Sequence, residues 1–316
     1  MAKKIAFLCQ GYGTVNRGVE TYVGELSKRL QKDFTVTILT GQDSGNLSKI
    51  IKGNFDLVIA TNGRMQALKA SLGRLVGKYR LLISGQAGIG RDDLWNIAVC
   101  IPDVYVALTD HEKNWAQKWA WKTKVKKIPN GVDLAKFSSQ GKKIKIDLPG
   151  PIILSVGALE WYKHHELAIE ALSKLKDVSL LIVGSGSKLK QLLELANLKI
   201  PGRFKIISVK FDQMPDVYRS ADLFTLPSWN REAFGIVYVE AMASGLPVVA
   251  PDDSPRREIV GNAGVLTQVY EAKKYAQAIE EALNKDWKNT PQKQAEKFSW
   301  DKIADEYKKL IEEICK

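Results

Sequence analysis

The sequence predicts an α/β protein made of two doubly wound parallel-sheet domains, and three observations support this class. Short apolar runs alternate with helical segments along most of the chain, as in parallel strands joined by crossover helices. These runs lack the polar alternation of a half-exposed strand, which indicates that helices cover both faces of each sheet. The alternation stops once, at residues 129–133, and then starts again. A chain of 316 residues has room for two domains that each bury a core.

The first half of the chain contains six predicted strands. Lys3 and Lys4 precede the first apolar run and superficially resemble the start of a signal peptide, but this run is too short and a Gly-Tyr-Gly loop follows it. Residues 19–30 carry apolar side chains at helical spacing, which predicts an amphipathic helix. The six strands are 4–9, 34–40, 56–60, 80–84, 104–108 and 125–128.

The domain boundary is predicted at the turn sequence Pro-Asn-Gly-Val-Asp of residues 129–133, which a Lys- and Ser-rich stretch follows as far as residue 151. After it come the predicted strands 152–156, 179–183, 204–208, 223–226 and 248–250. We therefore predict an N-terminal domain at 1–130, a linker at 131–150, a second domain at 151–298 and a closing helix at 299–316.

The composition is that of a soluble globular protein, with 45% apolar and 26% charged residues. No apolar run approaches the 18 residues that indicate a transmembrane helix. Cys9, Cys100 and Cys315 are scattered, and neither they nor the three histidines have metal-ligand spacing. We expect reduced thiols, a cytoplasmic location and no metal site.

The positive charge lies almost entirely in the first half of the chain. Residues 1–140 contain 21 Lys and Arg against 11 Asp and Glu, and residues 141–316 contain 26 against 24. This asymmetry predicts an anionic partner or a membrane surface for the first half, and a basic surface that serves solubility alone is the alternative. The sequence has no recognised nucleic-acid-binding motif, so no nucleic-acid partner is predicted.

Two basic segments of the first half could contact an anionic lipid surface. Residues 64–79 form a predicted basic helix with an apolar side, and four lysines between residues 122 and 127 follow three tryptophans. Cationic and aromatic side chains together can dock on lipid headgroups. The alternative is that the apolar side packs in the core. That side consists of Met65, Leu68, Leu72, Leu75 and Val76.

The most informative stretch is 230–250, which predicts a loop, a helix and a strand. Glu232 lies in the loop and Glu240 lies two turns into a helix that Gly235 opens. The backbone amides from Phe234 to Val237 lie between them, at the positive end of the helix, where phosphate or oxygen ligands bind. Acid groups on either side of an anion site suit a nucleotide sugar. The alternative is one glutamate that complements the helix dipole and one on the surface.

This stretch resembles the Glu-x7-Glu motif of the retaining glycosyltransferases with the GT-B fold, specifically glycosyltransferase family 4, also called glycosyl transferases group 1. The similarity continues through Ala-Met-Ala-Ser-Gly-Leu-Pro-Val-Val-Ala into residues 257–260 and 264–266. The resemblance implies two Rossmann-like domains facing each other across a cleft: an acceptor-side domain first and a nucleotide-sugar donor domain second. It also implies that the helix after Phe-Ser-Trp-Asp at 298–301 returns to the first domain.

The resemblance further implies transfer of a sugar from a nucleoside-diphosphate donor to a glycan or lipid-linked acceptor, without metal or other cofactor. In the family, the second motif glutamate binds the ribose hydroxyls, which here is Glu240. The first contacts the transferred sugar, which here is Glu232, beside the amides of Phe234, Gly235 and Ile236. The following amide, of Val237, is also expected to contact the donor.

Other motifs of the family are present with substitutions. Lys163 matches a lysine that neutralises the donor phosphates, but Ala158 replaces the arginine of that element. Gly18 matches a glycine of the donor-diphosphate loop, whose preceding glycine is replaced by Arg17. We predict that Arg17 or Arg231 supplies the missing cation.

Two further positions complete the predicted site. Lys210 and Phe211 follow a strand where relatives place the nucleotide base. Many relatives carry a sugar-contacting His after the fourth strand, where this chain has Gln86, whose amide can hydrogen-bond a sugar hydroxyl. His111 is interpreted as structural.

Two alternatives stay open. One is a nucleotide-sugar-binding module without turnover, which the departures from the family pattern at Ala158 and Gln86 support. The other is a sugar-nucleotide epimerase of the same architecture, which the Glu-x7-Glu stretch disfavours.

Overall fold

The computed structural model describes residues 2–15, 18–61 and 63–316. By internal contacts the chain divides into two compact units. The first unit contains Met1–Gly131, Arg231–Phe234 and Trp300–Lys316, and the second contains Val132–Asn230 and Gly235–Ser299. Residues 132–150, for which a separate linker is predicted, therefore contact the second unit more than the first.

The first unit is built on a six-stranded parallel sheet with the order β2-β1-β3-β4-β5-β6. All six strands coincide with predicted ones to within one or two residues. The elements are β1 (Lys4–Leu8), α1 (Gly18–Leu30), β2 (Thr35–Leu39), α2 (Leu47–Lys52), β3 (Leu57–Ala60), α3 (Arg64–Gly77), β4 (Arg80–Ser84), α4 (Arg91–Ala98), β5 (Val104–Ala107), α5 (Asp110–Gln117) and β6 (Lys124–Lys127).

Helices cover both faces of this sheet, so its central strands β1, β3, β4 and β5 are almost entirely buried, whereas the edge strands β2 and β6 are partly exposed. One apolar core joins the sheet to α1 and to residues 300–315 at the end of the chain. The Tyr22 and Tyr307 hydroxyls hydrogen-bond within this core at 3.0 Å, and Trp300 is also fully buried there. The other core joins the opposite face to α2, α3, α4 and α5. The last helix of the chain therefore packs on the first unit.

The second unit repeats the architecture with the strand order β12-β11-β10-β7-β8-β9. Its elements are β7 (Ile152–Val156), α6 (His165–Leu172), β8 (Ser179–Val183), α7 (Leu189–Lys199), β9 (Phe204–Ile207), α8 (Met214–Tyr218), β10 (Leu223–Thr225), α9 (Ile236–Ala243), β11 (Val248–Pro251), α10 (Ser254–Val260), β12 (Gly264–Thr267), α11 (Ala272–Asn284) and α12 (Thr290–Ala295); α13 (Trp300–Ile314) follows in the first unit.

The two parallel sheets, each covered by helices, confirm the predicted α/β fold class. The described residues form one strand more than the eleven that were predicted. The additional strand, β12, pairs with β11 at the sheet edge, where Val248 lies beside Gly264. A Cβ atom on Gly264 would lie 2.0 Å from the Val248 carbonyl oxygen, so only glycine fits there. A strand that begins with glycine has a weak sequence signal.

The segment before β7 is held by a buried arginine. The Arg219 guanidinium donates to the carbonyl oxygens of Lys142 at 2.7 Å and Ser138 at 3.3 Å. This arginine fixes a segment without regular secondary structure to the second unit. Among the described residues, no helix is both long and apolar enough to cross a bilayer.

Candidate functional site

The helix after β10 begins as the sequence predicts, and glycine is required where it starts. Gly235 is the N-cap of α9, with φ of 79° and ψ of 67°. Side chains disfavour this left-handed conformation, whereas glycine adopts it without strain. The turn leaves the first amides of an eight-residue helix, including those of Ile236 and Val237, at its positive end. Such a helix end can stabilise a phosphate.

Glu240 lies in the second turn of α9 and is almost fully buried, with 5% exposure. The Tyr218 hydroxyl donates to its Oε2 at 2.8 Å. Burial raises the pKa of Glu240 to about 7, although the Tyr218 hydrogen bond and the charge of Lys136 oppose the rise. Glu240 is therefore a carboxyl group that changes charge near neutral pH, and a ligand donating hydrogen bonds to it would favour the ionised form.

Lys136 connects this carboxyl group to the predicted base-binding segment. Its Nζ lies 4.0 Å from the centre of the Phe211 ring, over the ring face. Lys210 precedes that ring and is exposed, at the start of the short helix Phe211–Gln213. Glu240, Tyr218, Lys136 and Phe211 thus form one cluster in the second unit. Tyr218 and Lys136 were not predicted, because no sequence spacing relates them to the Glu-x7-Glu stretch.

Lys163 ends the short helix Trp161–Lys163, which follows β7, and its side chain is half-buried. It lies near His165, which is fully buried with the Ser155 hydroxyl 3.0 Å from Nδ1. Burial and, to a smaller extent, the charge of Lys163 lower the pKa of His165 to about 4. This histidine is therefore neutral at physiological pH, whereas the neighbouring Lys163 is a cation.

The loops after β7 and β10 meet directly, because these strands are neighbours in the sheet. The Trp229 amide donates to the Tyr162 carbonyl oxygen at 3.0 Å. This bond joins the residue before Lys163 to the loop that leads towards Glu232. The two predicted phosphate-side elements are thus adjacent at the carboxyl ends of parallel strands, the usual ligand position in such sheets.

A second buried arginine, Arg256 on α10, positions the loop after β10. Its Nη2 donates to the Ser228 carbonyl oxygen at 3.1 Å, the Ser228 Oγ at 2.8 Å and the Trp229 carbonyl oxygen at 2.7 Å. Its Nη1 pairs with Asp253 at 2.8 Å. Sequence reasoning missed this residue, because its contacts join α10 to a loop distant in sequence.

The loop continues into Arg231–Phe234, which belongs to the first unit. The Arg231 Nε donates to the Ile89 carbonyl oxygen at 2.9 Å, and its guanidinium lies against Gly90. Glu232 is half-buried and Phe234 is buried. The two motif glutamates therefore lie in different units. Arg231 is held by the segment that follows Gln86.

The remaining predicted residues lie in the first unit. Gln86 and Asn130 exchange amide hydrogen bonds in both directions at 3.0 Å, so the Gln86 amide already has a protein partner. Gly18 is exposed and opens α1, and His111 is exposed in the first turn of α5. Arg17 lies outside the described residues.

The first unit also contains a buried acid pair, Asp93 on α4 and Glu112 on α5. Tyr105 donates to Glu112 at 2.7 Å, and the Leu108 amide donates to the other carboxyl oxygen at 2.7 Å. Burial raises the pKa of Asp93 to about 7 and, together with the charge of Asp93, holds the pKa of Glu112 well above its usual range. The native state therefore holds protons on this pair that an unfolded chain releases near pH 4.

We expect the free energy of unfolding to fall as the pH rises from about 4 through 7, because the native state binds more protons than the unfolded state in this range. Asp93→Asn should remove part of the fall, so that the variant gains stability relative to wild type at pH 8 but not at pH 4. Urea denaturation at both values measures the difference. If the free energy of unfolding of Asp93→Asn fell as steeply between the two pH values as that of wild type, Asp93 would not contribute to the pH dependence.

The matching family model is "Glycosyl transferases group 1", over residues 137–299. Among curated relatives, the phosphatidyl-myo-inositol mannosyltransferase of Mycolicibacterium smegmatis is 31% identical over 66% of this chain and 57% of its own length. The D-inositol 3-phosphate glycosyltransferase of Salinispora tropica is 31% identical over 58% of this chain and 44% of its own. The chain spans about half the length of these relatives.

Solved structures match almost the whole chain. Anabaena HepE in complex with UDP and glucose superposes with a TM-score of 0.79 and 19% identity, over 98% of this chain and 100% of that one. Sucrose-phosphate synthase from Thermosynechococcus elongatus superposes with a TM-score of 0.82 and 18% identity, over 99% of each chain. These similarities show the GT-B fold. The family match covers half of the chain, including the Glu240 helix and the Arg256 loop, and the chain therefore belongs to the group 1 glycosyl transferases.

Proposed function

We propose that this chain is a retaining glycosyltransferase that moves a sugar from a nucleoside-diphosphate donor to a glycan or lipid-linked acceptor. The observation that carries the proposal is the Glu240 cluster at the start of the second unit's α9. It combines a buried carboxyl group, positively charged helix amides and an aromatic ring within one family-matched segment. These groups suit the ribose, the diphosphate and the base of a nucleotide sugar, respectively.

The proposed roles follow from the charges that the reaction creates. The bond between the anomeric carbon and the diphosphate oxygen breaks, and the acceptor oxygen bonds to the same face of that carbon. The acceptor's proton passes to the departing diphosphate. Negative charge therefore develops on the diphosphate, where the amides of Gly235, Ile236 and Val237 and the ammonium of Lys163 would stabilise it. Glu232 would hold hydroxyls of the transferred sugar.

The proposed donor site needs neither a metal nor another cofactor, because protein cations and helix amides supply the positive charge. Lys163 is the proposed main cation, and Arg17 or Arg231 would replace the arginine missing at Ala158. Gln86 would contact the sugar only after exchanging its bonds to Asn130. Lys210, beside the Phe211 ring, and Gly18, at the start of α1, would border the donor.

The acceptor class is proposed from two observations. One relative is named as acting on phosphatidyl-myo-inositol, and the positive charge of this chain lies in its first half. We therefore propose a lipid-linked acceptor reached from a cytoplasmic, peripheral position on an anionic membrane. A binding module without turnover is the second candidate, which Ala158 and the occupied Gln86 amide favour.

The test is release of nucleoside diphosphate from a panel of UDP-, GDP- and ADP-sugars. We expect release from one donor, and Glu232→Gln should lower its rate at least about a hundredfold, as expected when a transition-state contact is removed. The variant should still bind the nucleoside diphosphate, because Glu232 is assigned to the sugar. Glu194→Gln, an exposed substitution on α7, is the matched control.

Two other outcomes would contradict either the transferase or the role of Glu232. Tight binding of one donor without release, with or without candidate lipid acceptors, would identify a binding module. Release that Glu232→Gln leaves unchanged would place the reaction at other residues.

A further inference from the structure

Helix α3 turns four of its large apolar side chains towards solvent and its small residues towards the protein, whereas Leu68 is half-buried against the core. Met65, Leu72, Leu75 and Val76 are 61, 52, 79 and 69% exposed. The buried residues of the helix are Ala67, Ala70 and Gly73. Packing of this apolar side in the core, one of the two alternatives left by the sequence, is therefore wrong for these four side chains.

The four side chains form one surface, because they share a face of the helix. Residues seven and eleven positions after Met65 are Leu72 and Val76, and this spacing places them on one line along a helix. Leu75 lies beside them, and Leu47 on the neighbouring α2 is also exposed. Contiguous exposed apolar patches of this kind mark interaction sites in soluble proteins. We call Met65, Leu72, Leu75 and Val76 the α3 patch.

Close packing of the opposite face fixes this orientation. A Cβ atom on Gly73 would lie 2.4 Å from the Tyr79 hydroxyl oxygen and 2.8 Å from Leu47. The Tyr79 hydroxyl donates to the Ala70 carbonyl oxygen at 2.6 Å. There is no room here for a larger side chain, so the helix cannot rotate to bury its leucines without losing these contacts.

The charge around the patch selects the partner. Residues 57–91 contain six Lys and Arg and no Asp or Glu, and three of these cations, Arg64, Arg74 and Arg80, pair with Asp92 or Asp103 outside this range. Lys69 and Lys78 are exposed beside the patch, as is Lys52 on α2. Large apolar side chains bordered by cations fit an anionic lipid surface, into which the apolar groups insert while the cations remain among the headgroups.

We propose that the α3 patch is the surface by which this chain docks on anionic membranes. The proposal rests on the peripheral location proposed above and is independent of sugar transfer. The apolar side chains would strengthen binding by burying their surface in the bilayer, and the lysines would restrict binding to membranes that contain anionic lipid. Both parts are therefore required, and each can be removed separately.

The test is sedimentation of the full chain with vesicles of phosphatidylcholine alone or mixed equally with phosphatidylglycerol. We expect binding to the mixed vesicles at low ionic strength, and loss at about 1 M salt, where the Debye length is about 3 Å. The double variant Leu72→Glu/Leu75→Glu should bind at least about tenfold more weakly, because it removes two apolar side chains that would insert into the bilayer and adds repulsion from the anionic headgroups. Lys69→Glu/Lys78→Glu should weaken binding to the mixed vesicles.

The matched control is Leu193→Glu/Leu198→Glu on α7 of the second unit, where both leucines are exposed. It adds the same charge and should bind vesicles as wild type does. Thermal unfolding of every variant separates lost binding from lost folding. Donor turnover without vesicles tests the transferase separately, so either proposal can fail alone.

Three outcomes would overturn the docking proposal. The first is a wild-type protein that does not sediment with anionic vesicles at low salt. The second is equal binding by the α3 and α7 variants. The third is a dimer in solution that the α3 double variant converts to a monomer without vesicle binding at any stage, since the patch would then be an interface between two copies.

Discussion

Replacing Glu240 by glutamine should lower kcat/KM for the nucleotide-sugar donor about a hundredfold at pH 8. The substitution keeps the size of the side chain and its ability to accept from Tyr218, which lies 2.8 Å away. It removes the charge that strengthens bonds from the ribose hydroxyls. A charge-assisted hydrogen bond contributes about 1.5–3 kcal/mol, and each 1.4 kcal/mol is tenfold in affinity.

The same role predicts a pH dependence. Because burial raises the pKa of Glu240 to about 7, the carboxylate form increases as the pH rises through 7. Wild-type kcat/KM should therefore rise from pH 6 to pH 8, whereas that of Glu240→Gln should stay level across this step. Initial rates over this range, with the donor below its KM, measure both curves.

Stability should move in the opposite direction. A carboxyl group whose pKa is raised on folding lowers the free energy of unfolding once the pH exceeds the pKa of that carboxyl group in the unfolded chain. The free energy of unfolding of Glu240→Gln at pH 8 should therefore be at least as large as that of wild type. Weaker turnover therefore cannot be attributed to unfolding. Glu194→Gln, exposed on α7, should match wild type in both measurements. A Glu240→Gln enzyme with full activity at pH 8 would remove Glu240 from the donor site.

The sequence was sufficient for the sheets and for α9, because both depend on local patterns. Short, mostly apolar runs predicted eleven of the twelve strands of the described residues, although residues 125–128 contain two lysines. Gly235 and Gly245 mark the two ends of the predicted helix, each with positive φ. The patterns are local because buried strands must be apolar and left-handed positions favour glycine.

The contacts that position the site could not be predicted in the same way. Lys136, in the segment before β7, reaches Phe211 after β9, and Arg256, on α10, reaches Ser228 after β10. Each contact joins elements that are distant in sequence and meet only in the folded unit. The sequence did not predict which face of α3 is buried, for a different reason. A hydrophobic stripe is ordinarily the buried side, but the space beside Tyr79 admits only small residues, so Gly73 faces inwards and Leu72 outwards.

The second large effect concerns Arg256, for which we expect Arg256→Met to lower the free energy of unfolding by about 3–5 kcal/mol. The guanidinium is fully buried, and its Nη2 donates to three oxygens of Ser228 and Trp229. Methionine fills similar space but leaves these acceptors without a donor, and breaking a buried ionic network by removing one partner has this cost. Urea denaturation at pH 7 measures the change.

The neighbouring residue provides the control. Arg257 also pairs with an aspartate, Asp252 at 2.7 Å, but its side chain is 64% exposed. Exposed pairs contribute little, so Arg257→Met should leave the urea midpoint nearly unchanged. Equal effects of the two substitutions would show that burial of Arg256 is not what stabilises the loop.

Arg256→Lys separates the structural role of this residue from its effect on the site. An ammonium group restores the charge but cannot match the fixed fork of a guanidinium, so it should recover only part of the stability. Because the Trp229 amide also binds the Tyr162 carbonyl oxygen beside Lys163, a loosened loop should displace both Lys163 and Glu232. Under conditions in which the Arg256→Lys variant is fully folded, we therefore expect its kcat to fall by a larger factor than its affinity for the donor. Unchanged kcat in the folded variant would limit Arg256 to stability, and the loop would then hold its catalytic geometry through other contacts.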